Sequence, residues 1–191
     1  MRILMLGNSF TFYNGLPSML EKLTGAKVIA HTRGGAWLAE QLNPDTKMGA
    51  LTQAALRNEK WDYCILQEMS NAPITARERF FTSAAKLCTQ IHANGATPVF
   101  YATWAYKRGS VSMRAMEMSY EEMAQGMYAA YHEAAERNQA LVADVGQKFF
   151  ELADTQELYA ADAVHPNELG SRIAAEVIAE VIQQHLQISA T

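Results

Sequence analysis

Cysteine is scarce in this chain, and the two that occur, Cys64 and Cys88, fall in an expected strand and on the apolar face of an expected helix. Such a pair gives neither a disulfide framework nor a zinc spacing, and free cysteine in these settings behaves as a small hydrophobe. Positive charge is also short. Sixteen Lys and Arg against 20 Asp and Glu leave a formal net charge of -4, which removes the broad attraction to phosphate behind non-specific nucleic-acid binding. No nucleic-acid partner is expected. Long apolar runs are missing too. The N-terminal run ends at Gly7, too short for a secretory signal, and nothing later approaches the ~18 continuous apolar residues of a membrane span. A cytoplasmic protein without a membrane partner is the expectation. No repeat, low-complexity tract or linker interrupts the 191 residues, and 49% hydrophobic composition supplies the core of one domain spanning 1–191.

What is present is a recurrence of short, nearly all-apolar runs: Ile3 to Leu6, Lys27 to Ala30, Tyr63 to Leu66, Pro98 to Ala102 and Leu141 to Val145. Their uniform apolarity suits strands buried on both faces of a parallel sheet. Helical stripes lie between them. Phe80, Ala84, Leu87, Cys88 and Ile91 form one, closed by Asn94-Gly95; Met123, Met127, Ala130, Tyr131 and Ala134 form another; Leu169, Ile173, Val177 and Val181 a third. Alternating strands and helices predict right-handed crossovers and a parallel α/β sheet. Two stretches have no regular period, Trp104 to Met118 and Gln156 to Asn167. Ligands of open α/β sheets bind beyond the carboxyl ends of the strands, so chemistry is expected there.

Four segments carry unusual polar or glycine chemistry: Gly7-Asn8-Ser9, Arg33-Gly34-Gly35-Ala36, Gln67 to Asn71, and Asp162-Ala163-Val164-His165-Pro166. Ser9 reads either as a turn or cap residue ahead of a helix bearing Leu16, Met19, Leu20 and Leu23, or as a nucleophile on a sharp turn that a flexible Gly7 permits. A serine nucleophile needs a base. His165 has a carboxylate three residues earlier and a proline after it, which biases it toward extended geometry. Asp162 can accept a proton from one imidazole nitrogen while the other takes the proton of Ser9. His31, His92, His132 and His185 receive no role. Backbone N–H groups of Ser9 and of Gly34 or Gly35 are candidate oxyanion donors, with a side-chain amide, Gln67 or Asn71, as a third.

In order, spacing and strand context, the chain resembles the SGNH, or GDSL-like, hydrolases. The resemblance rests on Gly7-Asn8-Ser9, on Gly34 or Gly35 after the second strand, on Asn71 or Gln67 after the third, and on Asp162-x-x-His165. The third block reads Leu66-Gln67-Glu68-Met69-Ser70-Asn71 where the family commonly has Gly-x-Asn-Asp, which keeps both amides in play. The resemblance implies a three-layer αβα sandwich around a flavodoxin-like five-stranded parallel sheet, and a serine esterase needing no metal or other cofactor. Ser9 would attack a carboxylic ester, His165 would relay the proton, Asp162 would orient His165, and a covalent acyl-enzyme would be hydrolysed by water. The nucleophile elbow G-x-S-x-G is absent, because position 11 is Thr11.

The chain is small for such a fold, so a small-molecule ester with a short acyl group is expected, acetyl esters of carbohydrates among the candidates. Asn8, Trp37 and Trp104 are candidate substrate contacts. Tyr106, Lys107, Arg108 and Arg114 lie in the same aperiodic loop as Trp104. Two alternatives stand beside this reading. A thioesterase or lysophospholipase would use the same triad. A flavodoxin-like binding module would cradle phosphate in the first turn, although that turn lacks the glycine density and lysine of a P-loop. The oligomeric state is open, since the methionine-rich stretch from Met113 to Met127 could pack on a partner or on the domain itself.

Overall fold

The computed structural model describes residues 1–189. The first apolar run forms β1 (Arg2–Gly7), which turns directly into a one-turn helix α1 (Ser9–Phe12) and, after a 3-10 turn at Tyr13–Gly15, α2 (Leu16–Thr24). Then follow β2 (Lys27–Thr32), α3 (Leu38–Gln41), α4 (Lys47–Asn58), β3 (Tyr63–Leu66), α5 (Ala72–Thr75) and α6 (Arg77–Asn94). The second half contributes β4 (Thr97–Tyr101), α7 (Val111–Arg114), α8 (Tyr120–Asn138), β5 (Leu141–Ala143), α9 (Val145–Leu152) and α10 (Glu168–Ser189). All five predicted strands form, with bounds shifted by a residue or two where the edge strands β2 and β5 extend or stop short.

The strands pair in parallel in the order β2-β1-β3-β4-β5, with Leu4 opposite both Ile29 and Cys64. This is the flavodoxin-like order, whose direction reverses between β1 and β3. Side chains alternate across the sheet. Leu4, Leu6, Cys64, Leu66 and Phe100 pack beneath α4, α6 and α8, while Ile3, Met5, Ile65, Val99 and Tyr101 pack against α2, α9 and α10. The result is the three-layer sandwich expected from the sequence. Both cysteines are buried and free. Met113, Met123 and Met127 are buried in the chain's own core. Among the described residues, no helix is long and apolar enough to cross a membrane.

Local signals account for the helix ends. Gly95 closes α6 at φ 90°, in the left-handed region that glycine enters without penalty. Ser119 and Glu122 form a reciprocal capping box at the start of α8. The aperiodic stretch after β4 is no open loop. Trp104 is wholly buried between Phe10 and Phe149, with ring centroids at 4.7 and 4.1 Å, and Tyr106 and Met113 are buried beside the α6/α8 layer.

Candidate active site

The turn after β1 is shaped by crowding. Gly7 does not adopt a left-handed φ; instead, a Cβ there would collide with Thr11 Oγ1 and lie 2.6 Å from Gln67 Oε1. The expected flexible hinge is therefore a space constraint. Gly7→Ala should destabilise the fold by about 1–3 kcal/mol in urea denaturation, the usual cost of forcing extra volume into a packed site.

Asn8 caps α1. Its Oδ1 accepts the Phe10 N–H at 3.0 Å, and its Nδ2 donates to the Ala36 carbonyl at 3.1 Å. Asn8 is only 3% exposed, so its expected role as a substrate contact gives way to one as cap and tether. Ser9 then occupies the first helical position, with its Oγ 2.8 Å from His165 Nε2.

His165 arrives on the loop between α9 and α10. Asp162 Oδ2 lies 2.5 Å from His165 Nδ1, while its Oδ1 accepts the N–H groups of Val164 (3.0 Å) and His165 (2.9 Å). Burial pushes the Asp162 carboxyl up, but the Val164 N–H, the imidazole, the His165 N–H and the imidazole's charge outweigh it, and the net shift is downward. Ala163 takes φ 61°, an uncommon conformation for alanine, held by its N–H to Ala160 and by its carbonyl accepting the Lys107 N–H. Trp104 Nε1 donates to the Val164 carbonyl at 3.0 Å. Trp104 thus braces the His165 loop from inside the core, and its expected place on the substrate surface is corrected by its 1% exposure.

The amides of the third block are placed differently from expectation. Gln67 is wholly buried, and its Oε1 accepts both the Asn8 N–H and the Thr11 hydroxyl at 2.9 Å. Its Nε2 donates to the Glu68 carbonyl. With its amide committed inward, Gln67 braces the serine turn and does not face an oxyanion. Asn71 Nδ2 donates to Met116 Sδ at 3.2 Å, and no contact joins it to Ser9 among the described residues. Gly34 and Gly35 are exposed on a turn closed by the Ala36 N–H on the Arg33 carbonyl, with Gly35 at φ 67°, the third-position geometry that selects glycine. Among the described residues, none accepts from the N–H of Ser9, Gly34 or Gly35. Trp37, half-buried at the head of α3, carries the Arg79 guanidinium 4.1 Å above its ring.

Four contributors were not anticipated. Tyr13 stacks on the imidazole of His165 at 4.5 Å and Phe10 meets its edge at 5.4 Å. Asn14 Nδ2 ties the 3-10 turn to the Pro166 carbonyl (3.2 Å) and Ser171 Oγ (2.8 Å). Glu68, wholly buried, accepts the N–H groups of Leu38 and Met69 on Oε1. Burial pushes its carboxyl up against those hydrogen bonds. The aromatic pair following Ser9 and the acid following Gln67 were the available sequence signals. The remaining histidines are engaged elsewhere: His31 with Thr52, His92 with the Asn138 carbonyl, His132 with Asp144 and His185 with Tyr63. Among the described residues, no group of three or more His, Cys, Asp and Glu converges as metal ligands would.

Solved structures share this arrangement of elements. A proposed SGNH hydrolase from Slackia heliotrinireducens is 49% identical, covering 95% of this chain and 98% of its own, at a TM-score of 0.91. The chain belongs to the SGNH hydrolase family. As a member it is a hydrolase of carboxylic esters. A DUF4886 family protein from Bacteroides uniformis (18% identity, 96% of this chain and 83% of that one, TM-score 0.74) shares the fold. So does an acetylxylan esterase from Geobacillus stearothermophilus (15% identity, 95% and 93%, TM-score 0.66). No protein-family model and no curated protein matches the sequence.

Proposed function

We propose that this single-domain SGNH hydrolase cleaves short-acyl esters, acetyl esters above all, with Ser9 as nucleophile, His165 as general base and acid, and Asp162 as its orienting carboxylate. The observation that carries the reading is the unbroken relay from Ser9 Oγ through His165 Nε2 and Nδ1 to Asp162 Oδ2, at 2.8 and 2.5 Å. As Ser9 Oγ bonds to the ester carbonyl carbon, its proton passes to Nε2 and the carbonyl oxygen gains the negative charge. The unpartnered N–H groups of Ser9 and of Gly34 or Gly35 receive that oxyanion. Collapse breaks the bond to the alcohol oxygen, which leaves with the proton from Nε2. Water, deprotonated by the same nitrogen, then releases the acyl group.

Short acyl groups suit the chain because, among the described residues, the elements are taken up by the sheet's two helical layers and none is left over to wall a long tunnel. The aperiodic segment after β4 folds inward through Trp104, Tyr106 and Met113. An esterase working in the cytoplasm is supported by two buried free thiols. A p-nitrophenyl ester series from acetyl through butyryl and octanoyl to palmitoyl tests this. The expected kcat/KM falls by about tenfold or more beyond butyryl, the order of discrimination a pocket achieves per few methylenes. A maximum at octanoyl or longer would instead support the thioesterase or lysophospholipase reading.

A further inference from the structure

The two residues that follow β3 point their functional groups at two different loops. Gln67 holds the serine turn, through Asn8 and Thr11. Glu68 holds the next loop along: a single oxygen, Oε1, accepts the Leu38 N–H at 3.0 Å and the Met69 N–H at 2.7 Å. Its other oxygen, Oε2, is buried and has no hydrogen-bond partner among the described residues. Packing does not call for such a group, since an apolar side chain of similar volume would fill the space without an unpaired oxygen. What the acid supplies is a fixed distance between two loops.

The loop it holds is the one bearing Gly34 and Gly35. That turn is exposed, and neither glycine has a side chain to pack. Its exit is fixed at two buried points, the Ala36 carbonyl on Asn8 Nδ2 and the Leu38 N–H on Glu68 Oε1. The Arg33–Glu40 pair adds an outer clamp at 2.7 Å, open to solvent and to screening by salt. We infer that Glu68 is a positioning residue for the oxyanion site: by bracketing Leu38 and Met69 it sets the distance between the glycine turn and Ser9. The inference rests on the reading of Ser9 as nucleophile. Burial holds the Glu68 carboxyl above its ordinary range, so glutamine, isosteric with the protonated acid, keeps an oxygen at the same place.

The test measures kcat and KM on p-nitrophenyl acetate for the wild type, Glu68→Gln and Glu68→Asp, per active serine titrated with a fluorophosphonate, and for Ser9→Ala per mole of folded protein. Aspartate is one methylene too short to bridge both N–H groups. Glu68→Asp should lower kcat by about tenfold or more with KM within about threefold, since misplacement by less than an ångström is costly at a reacting centre. Glu68→Gln should restore kcat to less than about tenfold below the wild type. A smaller effect of Glu68→Asp, an equal loss in Glu68→Gln, or a loss confined to the active fraction would overturn the role. If Glu68→Asp does not fold, Glu68→Gln decides: a loss under tenfold supports the bracket, a larger one overturns it. Turnover retained in Ser9→Ala would overturn the underlying reading; a dead Ser9→Ala beside an indifferent Glu68→Asp would overturn only this inference.

Discussion

Ser9→Ala should lower kcat for p-nitrophenyl acetate by at least about 10^4-fold, because it removes the proposed nucleophile while leaving the proposed N–H donors in position. The protein should remain folded. Among the described residues, Ser9 Oγ bonds only His165 Nε2, and the turn itself is held by the Asn8 side chain and by Gln67. Losing one partly exposed hydrogen bond costs at most about 1.5 kcal/mol. Steady-state kinetics beside a urea titration separates the two effects. A large drop in stability would show that the turn depends on the serine itself, contrary to the network described.

Asp162→Asn is expected to lower kcat by about 10^3–10^4-fold, and the reason is geometric more than electrostatic. The aspartate side chain is half exposed, so water screens its charge. It nevertheless presents Oδ2 to Nδ1, which fixes the proton there and leaves Nε2 as the acceptor facing Ser9. An amide nitrogen in that place donates to Nδ1, moving the ring proton to Nε2 and blocking proton transfer from Ser9. Because Oδ1 still accepts the Val164 and His165 N–H groups in either variant, the loop should keep its shape. Since the folded-state titration of Asp162 is shifted downward, the ionised form's contribution to loop stability is fully present above its ordinary titration range. It fades only as pH falls through the depressed value. Thermal melts of the wild type and Asp162→Asn should therefore converge only in strong acid. A variant that loses activity together with its melting transition at neutral pH would contradict the tautomer argument.

The parts of this fold that sequence reveals are those set by local pattern. Runs such as Tyr63–Leu66 are apolar throughout because both faces of a parallel strand are covered, and the strand is found where the run lies. The Asp162-x-x-His165-Pro166 spacing likewise carries its own geometry, since three residues of turn let one carboxylate bind both the backbone and the ring of His165. What stayed hidden depends on which way a polar group faces. Asn8 reads as a substrate contact and Gln67 as an oxyanion donor, and Glu68 carries no reading, yet all three are buried and reach loops remote in sequence, Asn8 at Ala36, Gln67 at Asn8 and Thr11, and Glu68 at Leu38. Trp104 sits in a stretch without periodicity. Nothing local announces that its ring lies between Phe10 and Phe149, or that its N–H supports Val164, sixty residues on. Tyr13 escaped for the same reason: its partner, His165, is remote in sequence.

Intact-mass analysis after treatment with a fluorophosphonate, followed by peptide mapping, tests whether Ser9 forms the covalent intermediate. A single adduct on the peptide carrying Ser9 is expected, formed in the wild type and absent from folded His165→Ala on the same timescale. An adduct on another serine, or none on folded protein that hydrolyses p-nitrophenyl acetate, would rule out Ser9 as the nucleophile.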